Sequence, residues 1–284
     1  MKRTIEQVVV VGAGTMGQGI AQTVATAGYK VILYDINESV LKIALGRIAG
    51  NLDKGIVKGK LSHKVKEDTL DNIVVTHELT NATGELIIEA IVEDLKIKTD
   101  LLLKLETINR EDTIFATNTS SIPITRLQSQ LKRPERLAGL HFFNPAHIMK
   151  LVEIVSGSET EGEIVEILSE FSKNIDKTSV TTTDSPGFIV NRVARQYYVE
   201  SLKILEEQAA DIHTVDSLLE NFGFKMGPFR LMDLIGVDTN LAVTKSIFEL
   251  FQFNSKFAPS RIQQQKVDAG HHGRKTGKGF YEYE

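Results

Sequence analysis

The chain contains no cysteine and no tryptophan, and only six of its 284 residues are proline. Without cysteine it cannot form disulfides, attack a substrate with a thiolate or bind a metal through sulfur. Its seven histidines show no H-E-x-x-H or comparable ligand spacing, so we expect no metal site. Any redox chemistry must therefore use an organic cofactor.

The chain also lacks a strong excess of charge and long apolar segments. Lys and Arg total 33 against 37 Asp and Glu, a formal net charge of −4, so we expect no nucleic acid partner. No run approaches the ~18 consecutive apolar residues of a membrane span, and no charged-then-apolar leader precedes the first predicted strand. We therefore expect a cytoplasmic protein without a membrane partner. With 42% hydrophobic and 25% charged residues, the composition is that of a globular protein with one or two domains.

Short β-branched runs alternate with helical patterns along the first two thirds of the chain. Residues 7–11 and 29–34 are predicted strands, and residues 15–27, the stretch from 38 onward and residues 97–109 are predicted helices. Further predicted strands are residues 73–76, 86–90, 113–117, 136–140, 151–155 and 179–183. Strands that alternate with helices predict an α/β fold with a mainly parallel sheet.

The strand pattern stops at residue 183, and we place a domain boundary just after it, between Ser185 and Pro186. Ser185 is the predicted N-cap of a helix with Pro186 at its first position, where the missing N–H costs nothing. Glycine and proline then divide the last 99 residues into several short helices. The sequence thus predicts an N-terminal domain of residues 1–185 and an all-helical C-terminal domain of residues 186–284.

The run V-V-V-V-G-A-G-T-M-G places a G-x-G-x-x-G directly after an apolar strand and directly before a helical pattern. Gly12 allows a tight turn, Gly14 lets the backbone approach a pyrophosphate, and Gly17 allows the helix to pack closely on the strand. Thr15 and Met16 lie at the start of that helix, whose N-terminus attracts phosphate charge. This context predicts a Rossmann-type, dinucleotide-binding N-terminal domain.

Asp35 ends the second predicted strand, 21 residues after Gly14. A carboxylate at that point accepts hydrogen bonds from a ribose 2′-hydroxyl and repels a 2′-phosphate, which favours NAD over NADP. The alternative is that the glycines only form a packed turn and that Asp35 caps the following helix.

Polar side chains follow the predicted strand of residues 113–117, in the order T-N-T-S-S from Thr117. Ligands of open α/β sheets bind at the carboxyl ends of strands, which makes Asn118, Ser120 and Ser121 candidate site residues. They could equally cap the turn before Pro123.

His141 follows another predicted strand, and Glu153 lies 12 residues later inside the next apolar run. A hairpin centred near His147 would place the two side chains opposite each other on one face, where the carboxylate can hold the imidazole. Imidazole ordinarily titrates near neutrality, which suits a general base that takes the proton from a hydroxyl as hydride leaves the same carbon. The residues alone leave open a histidine bonded to backbone with a solvated Glu153. Asn191, near the start of the first C-terminal helix, is equally ambiguous.

Five lysines fall within thirteen residues of this slightly acidic chain: Lys54, Lys58, Lys60, Lys64 and Lys66. Such a cluster could bind phosphates, although most lysine clusters are solvated surfaces.

Taken together, these motifs resemble the L-3-hydroxyacyl-CoA dehydrogenase family, and more closely its single-function bacterial 3-hydroxybutyryl-CoA dehydrogenases. The similarity spans nearly the whole chain. It rests on V-G-A-G-T-M-G-Q-G-I-A-Q from Val11, N-T-S-S from Asn118, H-F-F-N-P-A from His141, K-L-V-E from Lys150, S-P-G-F-I-V-N-R from Ser185 and G-R-K-T-G-K-G-F-Y from Gly273.

The resemblance implies a role for each matching residue. His141 is the general base and Glu153 orients it, Ser120 hydrogen-bonds the reacting hydroxyl, and Asn191 supports the substrate carbonyl and the histidine. Asn144 contacts the same pocket, so that Ser120 and Asn144 face both cofactor and substrate. The positions implied to hold NAD or close over it are Glu93, Lys98, Asn118 and Lys275. The lysines implied to face the CoA tail are Lys54, Lys58 and Lys60.

Two departures from the family pattern bear on the site. The common P-A-P-V-M is P-A-H-I-M here, which makes His147 a second imidazole that could compete as the base, although we rank it below His141. H-P-M-G-P is replaced by F-K-M-G-P, and the C-terminal domain is rich in phenylalanine, which leaves the acyl-chain preference open.

The resemblance implies NAD-dependent oxidation of an L-3-hydroxyacyl-CoA to the 3-oxoacyl-CoA, with short chains as the default, in a homodimer formed through the C-terminal helices. Two alternatives remain from the sequence. One is a dehydrogenase of free 3-hydroxy or sugar acids, and the other is a non-enzymatic NAD-binding protein on the same scaffold.

Overall fold

The computed structural model describes residues 5–284, and the chain divides into two compact units whose boundary falls between Ser185 and Pro186. The first unit contains an eight-stranded sheet in the order β3-β2-β1-β4-β5-β6-β7-β8. Its strands are β1 (Gln7–Val11), β2 (Lys30–Tyr34), β3 (Ile73–Thr76), β4 (Leu86–Glu89), β5 (Ile114–Thr117), β6 (Leu137–Phe142), β7 (Leu151–Ser156) and β8 (Thr178–Thr183). Every neighbouring pair is parallel except β6 and β7. The predicted α/β class with a mainly parallel sheet is confirmed.

Helices connect the parallel strands of this unit. They are α1 (Thr15–Thr26), α2 (Glu38–Val57), α3 (His63–Asp71), α4 (Leu95–Ile108), α5 (Ile124–Gln128) and α6 (Gly162–Asn174), with short 3₁₀ turns at Leu79–Asn81 and Pro134–Arg136. Local chemistry sets where several begin: the side chains of Asn37, Ser62 and Asp94 accept the free N–H groups at the starts of α2, α3 and α4. Helix α6 is absent from the sequence-based prediction, yet the parallel pairing of β7 with β8 requires a crossover of this kind.

The central strands are apolar because they are covered on both faces. All four valines of β1 are fully buried, as are the three apolar residues of β4. The strand order reverses at β1, since β2 and β3 lie on one side of it and β4 follows on the other. In an open sheet such a reversal leaves a crevice at the carboxyl ends of the strands, where ligands bind.

Each predicted strand lies within two residues of its expected ends. The largest difference is β6, which continues past Leu140 to Phe142 because it pairs with β7. His141 is therefore a residue of the strand rather than of the loop that follows it.

The second unit is built from five helices: α7 (Val190–Glu206), α8 (Ile212–Asn221), α9 (Pro228–Ile235), α10 (Val237–Leu250) and α11 (Arg261–Asp268). Two 3₁₀ turns, Ser255–Phe257 and Arg274–Thr276, complete it, and two isolated bridges tie its last residues together. Its core contains Tyr198, Leu202, Phe229, Met232 and Val237. Among residues 5–284, no helix is both long and apolar enough to cross a membrane.

The predicted start of α7 is wrong. The helix begins at Val190. Ser185 is therefore not its N-cap, and Pro186 is not its first residue. Gly187 and Phe188 have φ angles of +73° and +50°, in the left-handed region, and a right-handed helix cannot continue through them. Asn191 is consequently the second residue of α7.

A buried carboxylate holds the C-terminal segment of the second unit. Asp233 is 1% exposed, and it accepts the N–H groups of Phe280 and Tyr281 at 2.9 Å and the hydroxyl of Tyr283 at 3.0 Å. A Cβ atom at Gly279 would lie 2.1 Å from Oδ1 of Asp233, so only glycine allows this approach. The segment G-K-G-F-Y near the C-terminus thus packs against the carboxylate of Asp233 and donates hydrogen bonds to it.

Replacing Asp233 with alanine should lower the free energy of unfolding by about 3 kcal/mol, because each N–H group left buried without an acceptor costs ~1–3 kcal/mol. Urea unfolding measures the loss. Asp268→Ala, which removes an exposed carboxylate at the end of α11, is the matched control. Equal stability of the two variants would show that Asp233 does not hold the segment.

Candidate active site

The turn between β1 and α1 has the shape that a bound pyrophosphate needs. Gly12 has φ of +99°, and a Cβ atom there would lie 2.8 Å from the carbonyl oxygen of Ala90. A Cβ atom on Gly17 would lie 1.7 Å from the carbonyl oxygen of Gly12, so α1 packs directly on the turn. At Gly14 a Cβ atom would meet nothing within 4 Å, which leaves open space beside the N-terminus of α1. That helix end carries free N–H groups and a partial positive charge, the two features that bind phosphate.

A cavity of about 770 Å³ opens beside this turn, at the carboxyl ends of β1 and β2. Five predicted cofactor residues line it: Gly12, Gly14, Thr15, Met16 and Asp35. Its other walls are largely apolar, with Ile36, Val40 and Leu101 among them. An apolar cleft with the carboxylate of Asp35 beside a helix N-terminus suits an adenine, a ribose and a pyrophosphate.

The carboxylate of Asp35 is fixed by backbone on both sides. Oδ2 accepts the N–H of Ala13 at 2.8 Å, and Oδ1 accepts the N–H of Asn37 at 2.9 Å. The cap of α2 is Asn37 rather than Asp35, so the alternative that Asp35 caps this helix is wrong. Through its hydrogen bond with Ala13, Asp35 instead joins the end of β2 to the glycine turn.

His141 and Glu153 face each other across the one antiparallel pair of the sheet, in the register that the sequence predicts. Nδ1 of His141 lies 2.7 Å from Oε2 of Glu153, and the two residues are 6% and 1% exposed. An ionised carboxylate only accepts hydrogen bonds, so the contact places the proton on Nδ1 and leaves Nε2 with a lone pair. The ring of Phe143 packs against the imidazole with 4.5 Å between ring centroids. This arrangement orients a histidine as a base.

The loop after β5 is held by Glu93. Its Oε1 accepts the hydroxyl of Thr119 at 2.6 Å and the N–H groups of Ser120 and Ser121 at 2.9 and 3.1 Å. Burial alone would raise the pKa of Glu93, but nearby Lys98 and these hydrogen bonds hold that pKa below its usual value. Glu93 is therefore a carboxylate at neutral pH that fixes the backbone carrying Ser120.

Two side chains of the polar run after β5 are hydrogen-bonded to the backbone around them. Thr119 caps the turn, since its hydroxyl oxygen accepts the N–H groups of Ser121 and Ile122. Asn118 instead reaches the neighbouring strand, where its Oδ1 accepts the N–H of Phe142 at 2.8 Å. It thereby links the end of β5 to the residue after His141.

Glu89 is a site residue that the sequence analysis missed. It ends β4, is completely buried, and lies 2.6 Å from Nζ of Lys98, which is 1% exposed. Its second oxygen accepts the hydroxyl of Thr117 at 2.6 Å. Because Nζ of Lys98 also lies 3.5 Å from Glu93, a continuous chain of charges runs from the buried end of β4 to the loop of Ser120. The sequence does contain a signal for Glu89. It is an acidic residue at the end of the apolar run L-I-I-E, and a lysine follows nine residues later.

The remaining predicted residues lie in other segments of the chain. Asn144 is exposed in the loop after β6, and Lys54, Lys58 and Lys60 are exposed at the end of α2 and just after it. In the second unit, Asn191 is half-buried on α7, and Nζ of Lys275 lies 2.6 and 2.7 Å from the two oxygens of Asp238.

His147 lies in the loop between β6 and β7, in a different environment from His141. Burial, together with Lys177 and Lys54, lowers the pKa of His147 below its ordinary value, so the ring is neutral at neutral pH. No carboxylate in residues 5–284 is hydrogen-bonded to this ring as Glu153 is to His141. The proximity of Lys54 also places the lysine cluster beside the loop that follows His141.

Removing one member of the buried Glu89–Lys98 pair should be more damaging than removing both. Lys98→Met leaves the carboxylate of Glu89 buried without its cation, which typically costs ~3–5 kcal/mol. The double variant with Glu89→Gln should recover a substantial part of that loss. Thermal and chemical unfolding of the two single variants and the double variant give the coupling, and strictly additive losses would contradict an energetic pair.

Comparison with known proteins agrees with this geometry. Residues 7–185 match the family model of the 3-hydroxyacyl-CoA dehydrogenase NAD binding domain, and residues 187–283 match that of the 3-hydroxyacyl-CoA dehydrogenase C-terminal domain.

Individual relatives match nearly the whole chain. A 3-hydroxyadipyl-CoA dehydrogenase of Escherichia coli (strain K12) is 45% identical over all of this chain, which spans 60% of that protein's length. A 3-hydroxybutyryl-CoA dehydrogenase of Clostridioides difficile is 38% identical over a match that covers 96% of this chain and 98% of that protein. The crystal structure of an (S)-3-hydroxybutyryl-CoA dehydrogenase from Ralstonia eutropha superposes with a TM-score of 0.95 at 36% identity, covering 99% of this chain and all of that one.

The two family models together cover nearly the whole chain, and the similarity read from the sequence motifs is confirmed. The chain belongs to the 3-hydroxyacyl-CoA dehydrogenase family, a family of NAD-dependent oxidoreductases.

Proposed function

We propose that this protein catalyses the NAD-dependent oxidation of an L-3-hydroxyacyl-CoA to the 3-oxoacyl-CoA, and the reverse reduction. The observation that carries the proposal is the buried contact of 2.7 Å between His141 and Glu153, near the carboxyl end of β6. Strands β1, β4, β5 and β6 run parallel, so their carboxyl ends meet at one edge of the sheet. The proposed base therefore lies on the same edge as the glycine turn.

The residues of the first unit fit NAD. Gly12, Gly14 and Gly17 shape the turn that receives the pyrophosphate, Thr15 and Met16 supply the helix end, and Asp35 accepts the ribose hydroxyls. When bound, NAD supplies the acceptor for the C3 hydride. Glu93, Lys98, Asn118 and Lys275 complete our proposed cofactor set. Glu93 and Asn118 act by fixing the loop after β5.

The proton step belongs to His141. Its Nε2 atom takes the proton of the C3 hydroxyl, and Glu153 stabilises the imidazolium that forms and keeps Nδ1 protonated throughout. Ser120 donates a hydrogen bond to the reacting oxygen from the loop that Glu93 holds. Asn144 contacts the same pocket, and Asn191 supports the substrate carbonyl.

The CoA tail is anionic, and the exposed lysines at the end of α2 offer it an opposite charge. Lys54 lies near the loop of His147, which connects the cluster to the strand that carries His141. Lys66 is paired with Asp53 at 2.6 Å, so it contributes less free charge than Lys54, Lys58 and Lys60. These three lysines are our proposed contacts to CoA.

A short acyl chain is the default of this proposal, since several relatives are 3-hydroxybutyryl-CoA dehydrogenases by name. The Escherichia coli relative is named for a dicarboxylic acyl group, so the far end of the chain is the variable part of the substrate. Turnover of free 3-hydroxybutyrate in preference to acetoacetyl-CoA would favour a dehydrogenase of free acids. Failure to oxidise NADH with any 3-oxoacyl-CoA would favour a non-enzymatic NAD-binding protein.

A cytoplasmic homodimer completes the proposal, since acyl-CoA and NAD are both metabolites of the cell interior. Large apolar side chains are exposed on the second unit, including Val193, Leu218 and Phe222 at 67%, 68% and 80%. Large apolar side chains exposed to this degree support a surface that a second copy covers.

Substituting His141 with alanine should reduce kcat by about 10²–10⁴-fold while NADH still binds, because general base catalysis typically contributes that much. Glu153→Gln should also lower kcat with a smaller effect on KM, because an amide can donate to Nδ1 and stabilise the wrong tautomer. Steady-state assays with acetoacetyl-CoA and NADH, together with NADH titrations, separate the two effects. Near-wild-type turnover by His141→Ala would reject His141 as the base, and a change mainly in KM would reassign Glu153 to binding.

Neutralising Lys54, Lys58 and Lys60 to glutamine should raise KM for acetoacetyl-CoA several-fold with kcat little changed, and the difference should shrink at high salt. A triple variant at the exposed Lys42, Lys132 and Lys173 carries the same charge change elsewhere on the first unit and serves as the control. Unchanged KM in the first variant would remove these lysines from the CoA site.

A further inference from the structure

Two charged side chains of α4 line the cofactor cavity and have no part in the function proposed above. Asp100 and Lys104 lie in the cavity wall together with Ile97 and Leu101 of the same helix. Residues four apart lie on the same face of a helix, one turn from each other. Helix α4 therefore contributes an apolar pair and a charged pair to the same cavity.

The charged pair has hydrogen-bonding capacity that the first unit does not use. Oδ2 of Asp100 lies 2.8 Å from Nζ of Lys96, while Oδ1 of Asp100 has no hydrogen bond among the described residues. In the part of the chain that the structure describes, no carboxylate lies within 4.0 Å of Nζ of Lys104. The cavity wall thus offers a ligand one charged acceptor and one charged donor, a turn of helix apart.

Large apolar side chains of the same cavity are exposed. Ile36 is 84% exposed, Val92 62% and Ile97 48%, and all three line the cavity. They come from three segments, namely the loops after β2 and β4 and the first turn of α4. Exposed apolar side chains that gather in one cleft are typical of a ligand site. A flat aromatic base suits such a site, because its two faces are apolar and its polar groups lie at its edge.

The other parts of the adenosine half of NAD already have proposed sites in this cavity. The helix end at Thr15 suits the pyrophosphate, and the carboxylate of Asp35 suits the ribose. The adenine base is the part that remains. Along one edge it carries an amino group that donates hydrogen bonds and the neighbouring ring nitrogen N7, which accepts them. A carboxylate and an ammonium group are the complementary partners of these two groups.

We propose that Asp100 accepts a hydrogen bond from the 6-amino group of the NAD adenine and that Lys104 donates one to N7 of the same base. The protein then discriminates against hypoxanthine, which carries a carbonyl oxygen in place of the amino group. The carboxylate of Asp100 attracts the amino group and repels the carbonyl oxygen. The proposal rests on the cofactor site proposed above, and it does not depend on the acyl-CoA substrate.

The test compares the binding of NADH with that of reduced nicotinamide hypoxanthine dinucleotide, measured by nicotinamide fluorescence without any acyl-CoA. Both dinucleotides carry the same fluorescent ring, so the ratio of their dissociation constants reports on the base alone. The wild-type protein should bind NADH about 10-fold more tightly, which is near the lower end for a hydrogen bond to a charged group because Asp100 is exposed to water. Equal dissociation constants would overturn the proposal.

The two side chains should respond differently to substitution. Asp100→Asn should reduce the ratio to below about 3-fold, because an amide accepts from the amino group of adenine and also donates to the carbonyl oxygen of hypoxanthine. Lys104→Met should weaken the binding of both dinucleotides by a similar factor of about 3 to 10, since N7 is an acceptor in both bases. A wild-type ratio in Asp100→Asn would overturn the role of Asp100, and wild-type affinities in Lys104→Met would overturn that of Lys104.

Asp68→Asn is the matched control, since it makes the same chemical change at an exposed position of α3 that does not line the cavity. It should leave the ratio of dissociation constants at the wild-type value. A ratio that Asp68→Asn lowers as much as Asp100→Asn would assign the preference to overall charge and overturn the proposal.

Turnover of acetoacetyl-CoA separates this proposal from the proposed function. A protein that turns over acetoacetyl-CoA with NADH but binds both dinucleotides equally keeps the function and loses only the contact to the base. Selective binding of NADH without turnover of any 3-oxoacyl-CoA would support the contact to the base and contradict the proposed function.

Discussion

The pairing of β6 with β7 is the constraint on which the proposed chemistry depends. It is the one antiparallel pair in an otherwise parallel sheet, and its register puts His141 directly opposite Glu153. Side chains alternate between the two faces of a strand, so a slip of one residue would send one of the two groups to the other face. The strand pairing therefore fixes both the orientation and the tautomer of the imidazole. The parallel strands beside it decide where that imidazole lies relative to the glycine turn.

Buried charge organises the adjoining edge of the sheet. Glu89 and Lys98 are almost completely inaccessible to water, and burying an ion pair carries a cost that only close contact and further hydrogen bonds offset. Such a pair adds little stability by comparison with apolar packing. Its consequence here is positional, because Lys98 also faces Glu93, and Glu93 holds the loop of Ser120. Lys98 thus helps to hold the loop that carries Ser120.

The second unit uses buried charge in two different ways. Asp233 is saturated by backbone N–H groups and a tyrosine hydroxyl, so it serves to hold the C-terminal segment. Arg195 is also buried, but it has no acidic partner among the described residues, and its Nη1 donates to the carbonyl oxygen of Asn240 and the hydroxyl of Thr244. Both side chains are buried, and what distinguishes them is the set of hydrogen-bond partners that each one has.

The residues alone left the pairing of His141 with Glu153 as one of two alternatives, which the register of β6 and β7 decided. The sequence by itself determined the α/β class, the place of each predicted strand and the glycine turn with Asp35. These features depend on local periodicity and spacing, which a single chain displays directly. Other features were decided only by the tertiary structure. The start of α7 moved to Val190 because two left-handed residues precede it, and Asn37 rather than Asp35 caps α2. The Glu89–Lys98–Glu93 chain and the unpaired Arg195 were also invisible in the sequence, because hydrogen-bond satisfaction depends on which distant groups packing brings within 3 Å.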